Sequence, residues 1–529
     1  MQYCDWSYFL LFLPIVMLLY QVTPKKGRFL VLLIASYFFF YLLSGKLLIY
    51  LLVSTFSIHH FGLWIHDTKR REEEALKEAL KEQKKAIRKN YEKKKKLILL
   101  FGIVIQLVML ASTKYLPFFT LNVNHLLDFL NVGFQMKEYR FLAPIGISFY
   151  TLQAISYLVD VYRGKVHVDS NLFRLALYMA FFPQIMEGPI ARYEDTAQDL
   201  YKGERLHYQQ ICFGMQRIFY GLIKKIVIAD RLNRVVQVIF NNYNDYNGGI
   251  LFLGVVFYTI QLYMDFSGVI DIAIGCGEIF NVKIPENFKQ PFFSKSISDF
   301  WARWHITLGT WFKDYIFYPI SLSKVSKKLT SSLRKKLGNH FGPLLIGSFA
   351  LLIVWLCNGL WHGSGYNYIF FGLYHFTFIL MGNIAEPFVD KFYKQLKVDR
   401  NQPVIRVLQA VRTTIIVLFG ELFFRAAGTK AGIAMFTKII TDFNIRSIFS
   451  KKVLDLGLDV PDLIIIGITL LIVFFISLLK EKGVSIRQSV AKKPVLVRWT
   501  LYYILILYAL IFGAYGGSYA PIDPMYASF

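Results

Sequence analysis

Two blocks of sequence decide how this chain is organised: FWARWHITL at residues 300–308 and WLCNGLWHG at residues 355–363. Each block sets a histidine, His305 or His362, among apolar and aromatic residues. If residues 298–315 form one helix, the first histidine falls on its apolar face. A polar side chain in that position needs a partner or a chemical task.

The second block follows an apolar run, and its Asn358-Gly359 pair predicts that the helix breaks just before His362. A break at membrane depth is tolerated where the freed backbone groups are satisfied by protein or line a wet cavity. The two histidines therefore indicate a lined cavity. The alternative is that each is a hydrogen-bonded structural residue, and the residues by themselves leave both interpretations open.

Composition and hydropathy place the chain among membrane proteins. It has 529 residues, of which 55% are hydrophobic, and a mean hydropathy of +0.42. Many apolar runs approach the ~20 residues that a helix needs to cross a bilayer. The 49 Phe and 33 Tyr suit aromatic belts and lipid-facing surfaces better than a soluble core. We expect an all-α polytopic membrane protein with roughly 11–13 transmembrane or re-entrant helices around a central cavity.

The net charge of +25 does not indicate a nucleic-acid partner. Lys and Arg cluster in short loops, as the positive-inside bias predicts for cytoplasmic loops of a membrane protein. We therefore expect the lipid bilayer and no nucleic acid as a partner. The four cysteines show no spacing typical of zinc or redox sites. Neither a metal nor a bound cofactor is expected.

Charged segments predict the topology. Residues 66–96 mix Glu and Lys at helical spacing and are expected to form a charged cytoplasmic loop. The basic segment 480–498 is also expected in the cytoplasm, which places the end of the chain outside. The first 20 residues lack a basic n-region and a small-residue cleavage site, so they are expected to be a retained span with the N-terminus outside.

Two acids, Asp265 and Asp271, follow an apolar run that is expected to end at Met264. Acids within a membrane are costly and usually face the protein interior. Because the two are six residues apart, they need not share a helix face. We interpret them as structural groups that hydrogen-bond a broken backbone rather than as an acid/base pair.

At this point the chain resembles a known family. Several of its segments occur in the order seen in the membrane-bound O-acyltransferases, in the alginate O-acetylation branch, which is similar to the teichoic acid D-alanyl transfer proteins. The segments that carry the resemblance are residues 144–150, 187–192, 265–271, 287–291, 300–315 and 361–363.

The resemblance implies an O-acyltransferase of the bacterial cell membrane. Such a protein would move an acetyl or other short acyl group from a cytoplasmic thioester, acetyl-CoA or an acyl-carrier thioester, across the membrane. The group would serve O-acetylation of a cell-envelope or secreted polysaccharide. An exported, hydrolase-like (SGNH-type) O-acetyltransferase is the implied partner. Residues 1–516 would form the membrane-embedded acyltransferase domain, and residues 517–529 an extracellular tail.

The resemblance also implies roles for individual residues. His362 aligns with the family's essential histidine and His305 with its second motif histidine. Substrate-tunnel or structural roles are expected for seven further residues: Trp301, Arg303, Trp304, Asp314, Trp361, Asn358 and Asp265.

The C-terminus, PIDPMYASF, partly matches a Phe-x-Tyr-x-x-Phe pattern of related systems, whose tyrosine resembles an acyl carrier. Tyr526 and Phe529 match that pattern, whereas Pro524 stands where the first Phe would be. Tyr526 is therefore either a third catalytic residue or an incidental tyrosine of a terminal segment.

Three other hypotheses stay open. The first is D-alanyl transfer to teichoic acid. The second is a transporter in which the histidines and acids form a proton or substrate path, although transporters commonly show internal repeats and this sequence shows none. The third is a catalytically idle scaffold that recruits an exported transferase.

Overall fold

The computed structural model describes Tyr3 and residues 5–515, and the described residues fold as helices joined by turns and irregular segments. The expected all-α polytopic membrane protein is confirmed. Eight segments of the described residues are long and apolar enough to cross a membrane: Lys25–Glu78, Lys84–Lys114, Gly248–Ile279, Lys324–His362, Tyr366–Gln395, Pro403–Arg425, Val460–Glu481 and Val495–Phe512.

Among the described residues the chain divides into two units. The first unit comprises residues up to Met215 together with Ala273–Pro285, and the second comprises Gln216–Ile272 and residues from Glu286 onward. The histidine blocks both belong to the second unit. The helices Tyr208–Leu222 and Gly248–Ile279 have residues in both units.

The first unit is built on a helical hairpin. Leu48–Glu78 packs along Lys84–Lys114 and also contacts Ile147–Arg163 and Leu172–Ala180. Aromatic rings fill part of its interior. Apart from the two helices shared with the second unit, the α- and π-helices of the first unit are Tyr8–Phe12 (a π-helical turn), Leu13–Val22, Arg28–Ser44, Leu48–Glu78, Lys84–Lys114, Leu116–Phe129, Ile147–Arg163, Leu172–Ala180 and Tyr193–Lys202.

The expected charged loop at residues 66–96 is helical, but it is not a separate element. The helices Leu48–Glu78 and Lys84–Lys114 both extend into it and leave only a short turn between them. The Lys95 ammonium group lies 2.7 Å from a carboxylate oxygen of Glu72, so an ion pair joins the two charged helix ends. The charged residues therefore form the ends of the two hairpin helices, beyond their apolar segments.

The second unit is built on three consecutive long helices. Lys324–His362, which is kinked at Gly338 (φ = 81°), packs against Tyr366–Gln395, which in turn packs against Pro403–Arg425. Apart from the helices shared with the first unit, its helices are Ile223–Ala229 (π-helical), Asp230–Asn241, Ile297–Arg303, Ile306–Phe312, Lys313–Phe317 (π-helical), Tyr318–Ser321, Lys324–His362, Tyr366–Gln395, Pro403–Arg425, Thr429–Thr441, Ile445–Ile448, Val460–Glu481, Ile486–Ala491 and Val495–Phe512.

The expected break of the chain at Asp265 and Asp271 is wrong. The helix Gly248–Ile279 continues through both acids, and the acids pair with basic side chains rather than with broken backbone. Their partners are two consecutive lysines on a π-helical turn. A carboxylate oxygen of Asp265 lies 2.8 Å from the Lys225 ammonium group, and one of Asp271 lies 2.6 Å from that of Lys224. Buried charges are tolerated when they are paired in this way.

Candidate active site

The helix expected over residues 298–315 is interrupted at the first histidine. It is divided into Ile297–Arg303 and Ile306–Phe312, and His305 occupies the position before the second helix. The backbone of His305 has φ = 47°, in the left-handed region that non-glycine residues rarely adopt. The single apolar helix face predicted for this block is therefore wrong.

A short strand-like contact holds this interruption in place. The backbone N–H of Lys289 donates to the carbonyl oxygen of Arg303 at 2.9 Å, and the N–H of Ile306 donates to that of Asn287 at 3.0 Å. The backbone groups that leave the helix around His305 are thus satisfied by residues 287–289. This pairing stabilises a backbone conformation that would otherwise carry strain.

The side chain of Asn287 fixes the tautomer of His305. The backbone N–H of Thr307, an unambiguous donor, lies 3.0 Å from Oδ1 of Asn287, which identifies that atom as the amide oxygen. Nδ1 of His305 lies 3.3 Å from the same oxygen and must therefore donate its proton to it. The lone pair of the neutral ring consequently lies on Nε2.

The surroundings of His305 favour the neutral imidazole. Its side chain is buried, and the Phe266 ring lies edge-on with its centroid 4.9 Å away. Burial lowers the pKa of His305 to about 3, because the charged ring would lose its hydration. A neutral ring with its lone pair on Nε2 can accept a hydrogen bond or a proton.

The helix break expected at Asn358-Gly359 is also wrong. The helix Lys324–His362 continues through both residues, and His362 is its last residue. Gly359 is present because helices approach closely there: a Cβ atom at this position would overlap the carbonyl oxygen of Tyr368 on the next helix. The glycine permits close packing and the helix remains intact.

The two histidines line one cavity of about 400 Å³, so the predicted cavity holds both. Asn358, one helical turn before His362, lines it as well, as expected for residues four apart. Most of the lining is apolar. The polar lining also includes Ser298, Thr310 and Lys313, and the apolar lining includes Trp301, Trp304, Ile306, Leu308, Phe312, Phe317, Leu351, Val354, Trp355 and Ile379.

Besides Asn358, three of the predicted tunnel or structural residues line or border this cavity directly. Trp301 and Trp304 are part of its wall. Trp361 is buried, and its ring centroid lies 5.5 Å from that of His305 and 5.0 Å from that of His362. The indole of Trp361 therefore contacts both imidazoles.

The other predicted residues lie away from the cavity. The guanidinium of Arg303 pairs with Asp299 and Glu481, each at 2.9 Å, which connects this segment to the end of the helix Val460–Glu481. Asp314 lies on the π-helical turn that follows, outside the cavity lining. Asp265 is paired with lysine, as described above. Tyr526 lies outside the described residues.

Two neighbours of His305 were not assigned roles from the sequence. Asn287 belongs to a segment that carried the family resemblance, but nothing in its local pattern indicated that it orients a histidine. Phe266 lies between the two acids in a run that was expected to be broken. The sequence did indicate partners for Asp265 and Asp271, because Lys224 and Lys225 form a basic pair inside another apolar run.

Comparisons with known proteins agree with this geometry. A model of the membrane-bound O-acyltransferase family matches residues 165–333. The chain is 31% identical over 430 residues to the probable alginate O-acetylase AlgI of Pseudomonas aeruginosa, which covers 80% of this chain and 72% of the relative.

Two further relatives act on other envelope polymers according to their names. The peptidoglycan O-acetyltransferase of Helicobacter pylori is 31% identical over 307 residues, covering 53% of this chain and 54% of the relative. The teichoic acid D-alanyltransferase of Bacillus subtilis is 31% identical over 290 residues, covering 54% of this chain and 69% of the relative.

Proposed function

This chain belongs to the membrane-bound O-acyltransferase family and is an O-acyltransferase of the alginate O-acetylase type, and we propose that it moves an acetyl group from a cytoplasmic thioester across the membrane to a polysaccharide hydroxyl. In this proposal acetyl-CoA is the donor, and residues 1–516 form the catalytic membrane domain. An exported SGNH-type transferase completes delivery outside the cell.

One observation carries the proposal: His305 and His362 line the same cavity. The His305 ring is neutral and has its lone pair on Nε2, which suits it to bind a hydroxyl proton. His362 is the last residue of a long helix, and the negative end of the helix dipole stabilises a positive charge there. We therefore assign proton removal to His362 and positioning to His305.

The reaction follows from these roles. A hydroxyl oxygen attacks the thioester carbonyl carbon, the new C–O bond forms, and the C–S bond breaks. His362 takes the hydroxyl proton and returns it to the leaving sulfur. The amide of Asn358 lies on the same helix face and is placed to donate to the developing oxyanion. The many apolar side chains in the cavity lining limit access of water to the thioester.

The direct test replaces His362. We expect His362→Ala to lower acetyl transfer to the polymer by about 10²–10⁴-fold, the usual cost of losing a general base. His340→Ala is the matched control, because His340 is an exposed histidine on the same helix, bonded at 3.0 Å to the carbonyl oxygen of Asn383. The measurement is acetate released by mild base from isolated polymer. Full acetylation in the His362→Ala strain would contradict the catalytic role.

D-alanyl transfer to teichoic acid is the second candidate. It is supported by the similarity to the Bacillus subtilis D-alanyltransferase. The same cavity and proton path serve either acyl group. Tyr526 as an acyl carrier on this chain remains a prediction, since the residue lies outside the described part. Intact-mass analysis of the C-terminal peptide after exposure to the donor would identify both the acyl group and the carrier.

A further inference from the structure

The first unit contains an apolar groove of about 640 Å³ between four of its helices. The helices that form its walls are Arg28–Ser44, Leu48–Glu78, Lys84–Lys114 and Leu172–Ala180. The first three belong to segments that are long and apolar enough to cross a membrane. The groove therefore lies in the part of the first unit that the bilayer surrounds.

The lining of the apolar groove suits a hydrocarbon chain. Nine of its twelve residues are apolar, the other three carry hydroxyl groups, and none is charged. The hydroxyl of Thr55 donates to the carbonyl oxygen of Leu51 at 2.8 Å. The hydroxyl of Ser57 donates in the same way to Ser54, also at 2.8 Å. Because these hydroxyls are satisfied within their own helix, they do not require a polar ligand.

The walls of the groove leave large apolar side chains uncovered. Ile34, Phe56 and Phe173, each from a different wall helix, are 69%, 57% and 60% exposed. In a bilayer, lipid chains are the apolar groups available to cover them. A chain inside a groove contacts protein on several sides, so it gains more dispersion energy than a chain against a flat surface.

Two cationic side chains lie beyond the groove on its own wall helices. Arg174 directly follows Phe173, which lines the groove. Lys94 precedes Ile105, another lining residue, by eleven residues. Eleven residues correspond to about three helical turns, so Lys94 and Ile105 lie on the same face of their helix.

The charges of Lys94 and Arg174 are available to a ligand. Both side chains are exposed, and neither forms an ion pair with any residue that the structure describes. Each lies over a tyrosine ring instead, at 5.3 Å from the centroid of Tyr91 or Tyr201. Contact with a ring face orients a cation without neutralising it, so an anion can still bind.

Both cations lie toward the charged end of the hairpin. A ring nitrogen of His59 lies 3.2 Å from the carbonyl oxygen of Ser170, which places the start of Leu172–Ala180 beside that half of the helix Leu48–Glu78. The rise from Lys94 to Ile105 is about 17 Å. This length is close to half the ~30 Å hydrocarbon core. A lipid with its headgroup at Lys94 would therefore extend a chain to the groove.

We propose that the apolar groove binds an acyl chain of an anionic phospholipid and that Lys94 and Arg174 hold the phosphate of this lipid. In the predicted orientation the lipid comes from the cytoplasmic leaflet, where basic residues next to a span attract anionic headgroups. The inference is independent of the acyl-transfer proposal, because every residue that carries it belongs to the first unit.

Native mass spectrometry of the full-length protein, titrated with lipid, tests the site. The probes are phosphatidylglycerol, zwitterionic phosphatidylcholine and glycerol 3-phosphate, which has no acyl chain. We expect phosphatidylglycerol to bind, phosphatidylcholine to bind at least fivefold more weakly and glycerol 3-phosphate not to bind. Equal affinity for the two phospholipids would overturn the anionic site.

Charge variants test the two cations. Lys94→Gln and Arg174→Gln should each raise the Kd for phosphatidylglycerol about fivefold, the usual effect of one basic side chain near an anionic headgroup. Lys85→Gln is the matched control, because Lys85 is exposed on the same helix about 14 Å farther from the groove. Its Kd should stay within about twofold. Unchanged affinity in both test variants, or an equal loss in the control, would overturn the phosphate site.

A pair of valine variants tests the groove itself. Val53 and Val108 both lie on candidate membrane spans and are 43% and 58% exposed, but only Val53 lines the groove. Val53→Trp should fill the groove and raise the Kd for phosphatidylglycerol at least tenfold, whereas Val108→Trp should leave it within about twofold. Equal Kd values in the two variants would overturn the chain site. So would a protein dimer that Val53→Trp abolishes, since a second copy of the chain would then occupy the groove.

Discussion

Each histidine carried a prediction that was partly right. Their identity as a pair lining a cavity could be predicted, because two imidazoles in apolar surroundings need polar neighbours or a task. The backbone conformation of His305 could not be predicted. The periodicity around it fits one continuous helix, and the strand-like partner at residues 287–289 is set by tertiary structure. A left-handed backbone at a histidine leaves no pattern in a single sequence.

Substitution of Asn287 tests the hydrogen bond that orients His305. Its Oδ1 accepts from Nδ1 of His305 and, at 2.9 Å, from the hydroxyl of Thr307. We expect Asn287→Ala to lower kcat for acetyl transfer by roughly 10–100-fold, as is usual when the partner that orients a functional histidine is lost. KM for the donor should change much less.

The conservative variant Asn287→Asp keeps an oxygen at the same place and should restore most of kcat. Single-turnover rates of both variants with acetyl-CoA provide the measurement. If the two variants lose the same activity, Asn287 acts only through packing, and the assigned tautomer of His305 loses its support.

The intramembrane acids show a second limit of prediction from individual residues. A single sequence shows that Asp265 and Asp271 need partners, yet the partners lie about 40 residues earlier in the chain, at Lys225 and Lys224. Several basic residues could have supplied the charge. The interpretation as bonds to broken backbone was wrong because the π-helical turn at Ile223–Ala229 brings both lysines onto the acids.

Helices as elements were predicted better than their interruptions. The apolar runs at residues 368–381, 404–424, 463–479 and 499–512 each correspond to a helix in the structure. The expected break at Gly359 was wrong because glycine has two uses in helices. Glycine ends a helix where the backbone φ is positive, and within a helix it allows a neighbouring helix to pack closely. Only the structure shows which use applies.

Gly359 and Gly347, on the same helix, form a matched pair. A Cβ at Gly359 would overlap the backbone of the next helix, whereas a Cβ at Gly347 would meet nothing within 4 Å. We expect Gly359→Ala to lower the free energy of unfolding by roughly 1–3 kcal/mol through overpacking. Gly347→Ala should be neutral or stabilise by roughly 0.5–1 kcal/mol through helix propensity.

Apparent unfolding temperatures in detergent, with acetyl transfer measured in parallel, would separate the two variants. Gly359→Ala is also expected to reduce transfer, because the overlap lies three residues from His362. Equal unfolding temperatures for the two variants would mean that the helices separate without cost, and the packing explanation for this glycine would fail.

At the scale of the whole molecule, the membrane class and the family could be predicted from the sequence. Hydropathy and aromatic content determine the class, and the motifs carry the family. The charge pattern around a second cavity, of about 530 Å³, could not be predicted, since its basic residues come from three separate segments at residues 217–224, 289 and 480–487.

The membrane orientation of the chain is the remaining prediction. The basic segments predict that Lys77 and Lys482 face the cytoplasm and that Ser518, outside the described residues, faces the exterior. The ion pair between Lys95 and Glu72 joins the charged ends of the hairpin, so we expect residues 66–96 to lie together on one side of the membrane.

Single cysteines at positions 77, 482 and 518, in a background without the four native cysteines, allow the orientation to be measured. A membrane-impermeant maleimide applied to intact cells should label position 518, and positions 77 and 482 only after permeabilisation. Labelling of position 482 in intact cells would place the basic segment 480–498 on the outer side and would contradict the predicted orientation, because Lys and Arg cluster on the cytoplasmic side of membrane proteins.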